Sequence, residues 1–296
     1  MTLEIFCPFW GDPALLFEAV ESVREQNDPH WRLIVIDDCY PDESVAGRLA
    51  ALDDDRILYV RNEINVGITE NFRESVRRAT TDHIAIMGCD DRLQPNYVGL
   101  MRRMIRENPE ADVIQPGVAV IDEHGAASSP LVDRVKHVVL APRTDGRTVV
   151  LTAEEMATSL IRGDWLYWPS LVFRTETLRR VDFREGLAVI QDLALLMDIA
   201  FGGGSLAYTP EIAFSYRRHS SSASQTTLLD GRRFTDERGY YRMARDIALD
   251  RGWRRTARVA RARLMSRLHA VTVLPLVLRR GNRAALRAAL AHIFAI

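Results

Sequence analysis

Two apolar runs end abruptly on acids. Residues 31–36 close on Asp37 and Asp38, and residues 83–87 close, after Gly88 and Cys89, on Asp90 and Asp91. Short β-branched runs bounded by turn-forming residues predict strands covered on both faces. Helical patterns follow both, one beginning near Glu43 and one running from about Gln94 to Glu107, so a helix cap is the plainest reading of each acidic turn. Between the two runs Gly67 precedes another helix and permits positive φ or close backbone approach. Ligands of open α/β sheets collect at the carboxyl ends of such strands. Adjacent aspartates there repel unless a cation, an arginine or water shares their charge, which makes a hard divalent metal the natural partner of Asp90 and Asp91.

The order of these features carries a resemblance. The chain opens with residues 4–10, continues through the Asp37–Asp38 turn and the loop Asn65-Val66-Gly67 with Asn71, and reaches Cys89-Asp90-Asp91. Over roughly residues 3–220 this resembles the family-2 glycosyltransferases, inverting enzymes with the GT-A fold. The resemblance implies an α/β protein, a GT-A-type nucleotide-binding α/β/α sandwich with a mostly parallel central sheet. Its domain would span residues 1–230, with a donor half over about 1–121 and an acceptor half over about 122–230. By the same resemblance, Cys7, Pro8 and Phe9 border the nucleotide base, Asp38 binds base or ribose, and Asn65 to Gly67 line that pocket. Asp90 would face the donor sugar and ribose. Asp91 would coordinate Mn2+ or Mg2+ bridging the diphosphate, with His219 a further candidate ligand. Where the family's DxD signature has its first acid, this chain has Gly88.

The family also places a catalytic base at the start of a later helix, and Asp192 fits, with Gln191 where a Glu is usual. Inverting transfer needs a base that removes the acceptor hydroxyl's proton as its oxygen attacks the anomeric carbon. A carboxylate opening a helix is otherwise a routine dipole-stabilising cap. Downstream, residues 214–224 resemble a Tyr-Arg-x-His-x-x-Ser-x-Ser segment in which Arg217, Arg218 and His219 would neutralise the departing diphosphate. No Gln-x-x-Arg-Trp motif occurs, so non-processive transfer is expected. Trp165 and Trp168 lie in the most aromatic segment and suit either an acceptor platform or core packing.

The expectation is a metal-assisted inverting glycosyltransferase of bacterial surface-polysaccharide biosynthesis. It would take a nucleotide-diphosphate sugar, UDP- or dTDP-linked, and a glycan or lipid-linked acceptor. Gly88 and Gln191 leave open a sugar-nucleotide-binding or assembly subunit without turnover. A sugar-phosphate nucleotidyltransferase fits less well, because those enzymes carry a lysine-bearing, Gly-rich N-terminal loop and the only lysine here is Lys136.

Charge adds one feature. From Gly231 onward 16 arginines face four acids, a balance of +12 that leaves −13 for the rest of a chain whose net charge is −1. This Arg-rich extension, residues 231–296, carries helical patterns near residues 235–250, 253–270 and from 282. Basic amphipathic helices suit an anionic membrane surface, while packing on the acidic domain or on a second subunit is the competing expectation. Nucleic acid is not expected, because no recognisable binding module accompanies the charge. Hydrophobic residues make up 47% of the chain, enough for a core, yet no run reaches a membrane span and no basic segment precedes the first apolar run. Three cysteines without a CxxC pair exclude a disulfide scaffold or zinc ribbon and fit a reducing cytoplasm, with the inner face of the membrane as a second location.

Overall fold

A computed structural model describes residues 1–187, 190–218, 232–280 and 282–294. The strands are β1 (Leu3–Phe9), β2 (Trp31–Asp37), β3 (Ile57–Arg61), β4 (His83–Ile86), β5 (Arg92–Leu93), β6 (Val113–Ile121), β7 (Ala127–Ser128), β8 (Val149–Thr152), β9 (Val172–Arg174) and β10 (Ser205–Arg217). They form one sheet in the order β3-β2-β1-β4-β9-β6-β10-β5, with β7 on β6 and β8 on β10. β1 to β4 run parallel, as do β6 and β10, while β9 lies antiparallel between the two blocks. β5, β7 and β8 are short antiparallel additions, so the sheet is more mixed than expected.

Alternation along β1 shows why the sheet lies at the centre. Ile5, Cys7 and Phe9 join one core with Leu33 and Val35, while Phe6 joins the other with Ile34, Ile36, Ile84 and Ile86. Helices α1 (Pro13–Arg24) and α4 (Tyr97–Glu107) cover the first face; α3 (Ile68–Arg78), α6 (Ala153–Arg162) and α8 (Gln191–Phe201) cover the second. α2 (Ser44–Ala50), α5 (Leu131–Val135) and α7 (Thr175–Arg180) are short. α1 starts as the sequence dictates, because Asp12 accepts the Ala14 N–H at 2.8 Å and Pro13 supplies a preset first φ.

The extension forms α9 (Arg232–Asp250), α10 (Arg254–Ala262), α11 (Leu264–Arg280) and α12 (Arg283–Phe294). The helical pattern expected to run through residues 253–270 breaks at Arg263, whose left-handed φ of 47° separates α10 from α11. α11 continues over residues 271–278, across Pro275. α9 and α10 are part of the main core: Tyr240, Tyr241, Ala244, Ala257 and Ala260 pack with residues of α6 and α8. Among the described residues no helix is long and apolar enough to cross a membrane.

Candidate active site

β1 is flanked by β2 and β4, so the three ends bearing Cys7-Pro8-Phe9, Asp37-Asp38 and Asp90-Asp91 meet along one sheet edge. The first motif to find a structural role is Asp38. Its Oδ1 accepts the Asn62 side-chain amide and the Val66 N–H, both at 2.9 Å, and its Oδ2 accepts the Gly67 N–H at 2.8 Å. The loop bearing exposed Asn65 is thus clasped to the end of β2, with Gly67 at φ 84° as the turn requires. Asp37 is also engaged, by the Tyr40 N–H at 2.6 Å and the Tyr59 hydroxyl at 2.5 Å. Asn71 binds the Ile36 carbonyl through Nδ2 at 3.0 Å, so α3 hangs from the same strand.

At the end of β4 the two acids converge. A Cβ on residue 88 would stand 2.5 Å from Asp91 Oδ2 and 2.9 Å from Asp90 Oδ1, so glycine leaves the space that both carboxylates lean into. Asp91 is 1% exposed, and burial, then the charge of Asp90, holds its carboxyl well above the usual range. Two hard oxygen donors aimed at one point, in a place that disfavours uncompensated charge, suit a divalent cation. No group of three His, Cys, Asp or Glu gathers among the described residues, so further ligands would have to come from outside them, from the donor or from water.

Arg217 sits behind this pair. Its N–H donates to Asp91 Oδ1 at 2.8 Å, its Nε to the Asp90 carbonyl at 2.7 Å, and its guanidinium also meets the Glu123 carbonyl and Glu18. At 3% exposure the side chain is turned inward and braces the acids; it does not reach out to a diphosphate. Arg218 forms a bidentate pair with buried Asp133, at 2.6 and 2.8 Å, and Tyr167 donates to the same carboxylate at 2.8 Å. His219 and the serines after it lie outside the described residues.

Asp192 occupies the first turn of α8, where its Oδ1 accepts the Leu193 N–H at 2.8 Å. Burial raises its pKa, while Lys136 and Arg233 oppose that rise. Gln191 beside it accepts the Thr69 hydroxyl at 2.6 Å and so ties α8 to the first turn of α3. A second acid, Asp164, was not singled out in the sequence. It is pushed up to about 6 by burial; Lys136 opposes the rise and the charge of Asp192 adds to it. Lys136 donates to the Leu166 carbonyl at 3.1 Å, while Asp164 accepts the Leu166 N–H at 3.2 Å. Only the packing of α6 against α8 unites these groups, and no local motif marks it.

The aromatic candidates divide. Trp165 is 2% exposed, packs edge-on against Tyr208 and donates to Ser159, so it is a core residue and no acceptor can stack on it. Trp168 is half-buried among Phe72, Phe173 and Phe183. Phe9 is fully buried, whereas Trp10, just past the end of β1, is half exposed and packs against Tyr40. Trp10, not singled out in the sequence, is the aromatic that this strand end exposes.

The acid-tipped strand ends and the central sheet with helices on both faces form a GT-A-type fold. The sequence profile of Glycosyl transferase family 2 matches residues 5–147, just under half of the chain. WcaA of Escherichia coli, named as a colanic acid biosynthesis glycosyl transferase, is 32% identical over 99 residues, 33% of this chain and 36% of that protein. EpsE of Bacillus subtilis, named as a glycosyltransferase, is 28% identical over 122 residues, 40% of this chain and 44% of its own length. The match thus spans less than half of either relative. Among solved structures, S. aureus TarS 1-349 in complex with UDP-GlcNAc superposes with a TM-score of 0.70 at 13% identity, over 99% of this chain and 82% of that one.

Proposed function

We propose that this chain is an inverting glycosyltransferase that moves a sugar from a nucleotide-diphosphate sugar to a hydroxyl of a glycan or lipid-linked acceptor. The observation that carries this reading is the convergence of Asp90 and Asp91 over Gly88, beside the loop clasped by Asp38. The acceptor would be a surface polysaccharide or its precursor; relatives named for colanic and teichuronic acid biosynthesis favour that class. A neighbour crystallised with UDP-GlcNAc supports a UDP-linked donor.

In this reading Trp10 and Pro8 bound the base, and the loop at Asn65 to Gly67 closes over it. Asp90 and Asp91 would hold Mn2+ or Mg2+, which when bound neutralises charge on the diphosphate. Arg217 positions that pair. Asp192 takes the proton of the acceptor hydroxyl as the new bond from oxygen to the anomeric carbon forms and the bond to the diphosphate breaks with inversion. Its raised pKa, a consequence of burial, makes it a stronger base than an ordinary carboxylate.

Thermal unfolding with UDP-, dTDP- and GDP-sugars, each with and without Mn2+, tests the donor half. Saturating donor at about 100 times its Kd should stabilise the native state by about 2.7 kcal/mol. Stabilisation by none of them overturns the reading. Asp192→Asn should lower transfer by about a hundredfold or more while leaving donor affinity within a few-fold. Wild-type turnover in that variant removes Asp192 as the base. Donor binding by the unaltered protein with no transfer to any acceptor would identify a binding subunit instead.

A further inference from the structure

The outward face of α11 is apolar. Leu264, Leu268, Val271, Pro275 and Leu278 recur at intervals of four and three residues, and at about 100° per residue they fall within roughly an 80° arc. All five are exposed, the four aliphatics by 48–60%. The opposite side holds Ala270, Val273 and Val277, which pack with Phe234, Ala285 and Ala289. Small residues therefore face the protein and large ones face out, the reverse of an ordinary surface helix. The stripe is about 21 Å long from Leu264 to Leu278, at about 1.5 Å per residue. A continuous apolar strip on an exposed helix marks a contact site.

Charge selects the occupant. From Arg251 to the last residue there are eleven arginines and no acid. Arg258 and Arg261 are exposed just before the stripe, and Arg279, Arg280, Arg283 and Arg287 are exposed at and beyond its end. A second copy docking here would bring together two segments that from Arg251 onward carry eleven arginines each and no acid to offset them, and Pro275 would put a ring in the middle of the seam. An anionic bilayer meets both needs, taking the leucines into its acyl boundary and the guanidinium groups at its headgroups. We propose that α11 is an interfacial helix that seats the protein on an anionic lipid surface, lying along it and not crossing it.

The helix is also held to present that face. Ser266 Oγ stands 2.5 Å from Glu237 Oε2 of α9 and 2.6 Å from His292 Nε2 of α12, and His292 Nδ1 lies 3.0 Å from the Phe234 carbonyl. This buried polar pin, with the Phe234 cluster, fixes α11 against its neighbours.

Flotation of the full chain with phosphatidylglycerol-containing vesicles and with pure phosphatidylcholine vesicles tests the proposal. Binding is expected only to the anionic set and should weaken as salt rises. The double variant Leu268→Glu, Leu278→Glu should bind about tenfold more weakly or less, with unchanged melting temperature, since both side chains point to solvent. Arg279→Glu with Arg280→Glu should weaken binding similarly. No flotation of the unaltered protein with anionic vesicles overturns the proposal. So does a lipid-free dimer, seen by light scattering, that Leu268→Glu converts to monomer, because the second copy would then own the stripe. Nucleotide-sugar stabilisation in the same variants should not change, so the donor reading and this one fail separately.

Discussion

Single residues carry separable burdens in this site. Asp38 spends its carboxylate on three donors of the loop 62–67, so Asp38→Ala should destabilise the protein by about 1–3 kcal/mol and weaken donor binding, with calorimetry and nucleotide titration as the readouts. Unchanged donor affinity would show that the loop needs no clasp. Gly88→Ala places a Cβ where the two carboxylates meet, so Mn2+-dependent donor binding should fall by about tenfold or more with little loss of stability. Asp164 and Asp192 predict a pH profile. A base with a raised pKa is protonated at higher pH than an ordinary carboxylate, so kcat/KM should rise with pH along an acidic limb set by Asp192. The charge of Asp192 helps hold Asp164 up, so in Asp192→Asn the Asp164 carboxyl should titrate at lower pH, read by NMR of its carboxyl carbon. An unchanged Asp164 titration in that variant would show that the two carboxyls do not share a field.

Whole elements were legible where one period dominates. β2 and β4 read directly from sequence because both faces are buried and the apolar runs stop on acids. α11 did not, because Val271, Thr272 and Val273 followed by Pro275 give the signal of a break, while packing of Ala270, Val273 and Val277 keeps the helix going. Arg217 was legible as a motif position but not as a brace, since only the meeting of β10 with the end of β4 turns its guanidinium inward. The extension divides for the same reason. α9 and α10 contribute Tyr240, Tyr241 and four small residues to the main core, and two buried tyrosines at about 2 kcal/mol each are a large fraction of the marginal net stability of a domain. Truncation after residue 230 should therefore abolish cooperative unfolding and give aggregates in size-exclusion chromatography. Ending the chain after Arg263 removes the partners of Phe234 and, from the main core, the contact of Met265 at its edge, and should leave one cooperative transition. A well-folded 1–230 fragment would refute the assignment of α9 and α10 to the main core.

At the scale of the molecule, three thiols report on how the sheet assembles its donor edge. Cys7, Cys39 and Cys89 come from three neighbouring strand ends, but they are not equivalent. Cys7 is fully buried, and burial, with the charges of Cys89, Asp90 and Asp91, raises its pKa far up. Cys89 is pushed up to about 12, chiefly by burial and then by Asp90. Cys39 sits apart, half-buried, with its Sγ 3.6 Å from the Glu63 carbonyl in the loop that Asp38 clasps. The thiolate is the reacting form, so iodoacetamide should label Cys39 first, Cys89 slowly and Cys7 only on unfolding. Saturating UDP with Mn2+ should slow labelling of Cys39, because a base lodged against the loop 62–67 restricts access to that sulfur, and of Cys89, because it adjoins the paired acids. Mass spectrometry of the labelled peptides resolves the three. If Cys39 and Cys89 both label at the same rate with and without saturating nucleotide, the donor lies elsewhere on the sheet, and the convergence of these strand ends serves the fold alone.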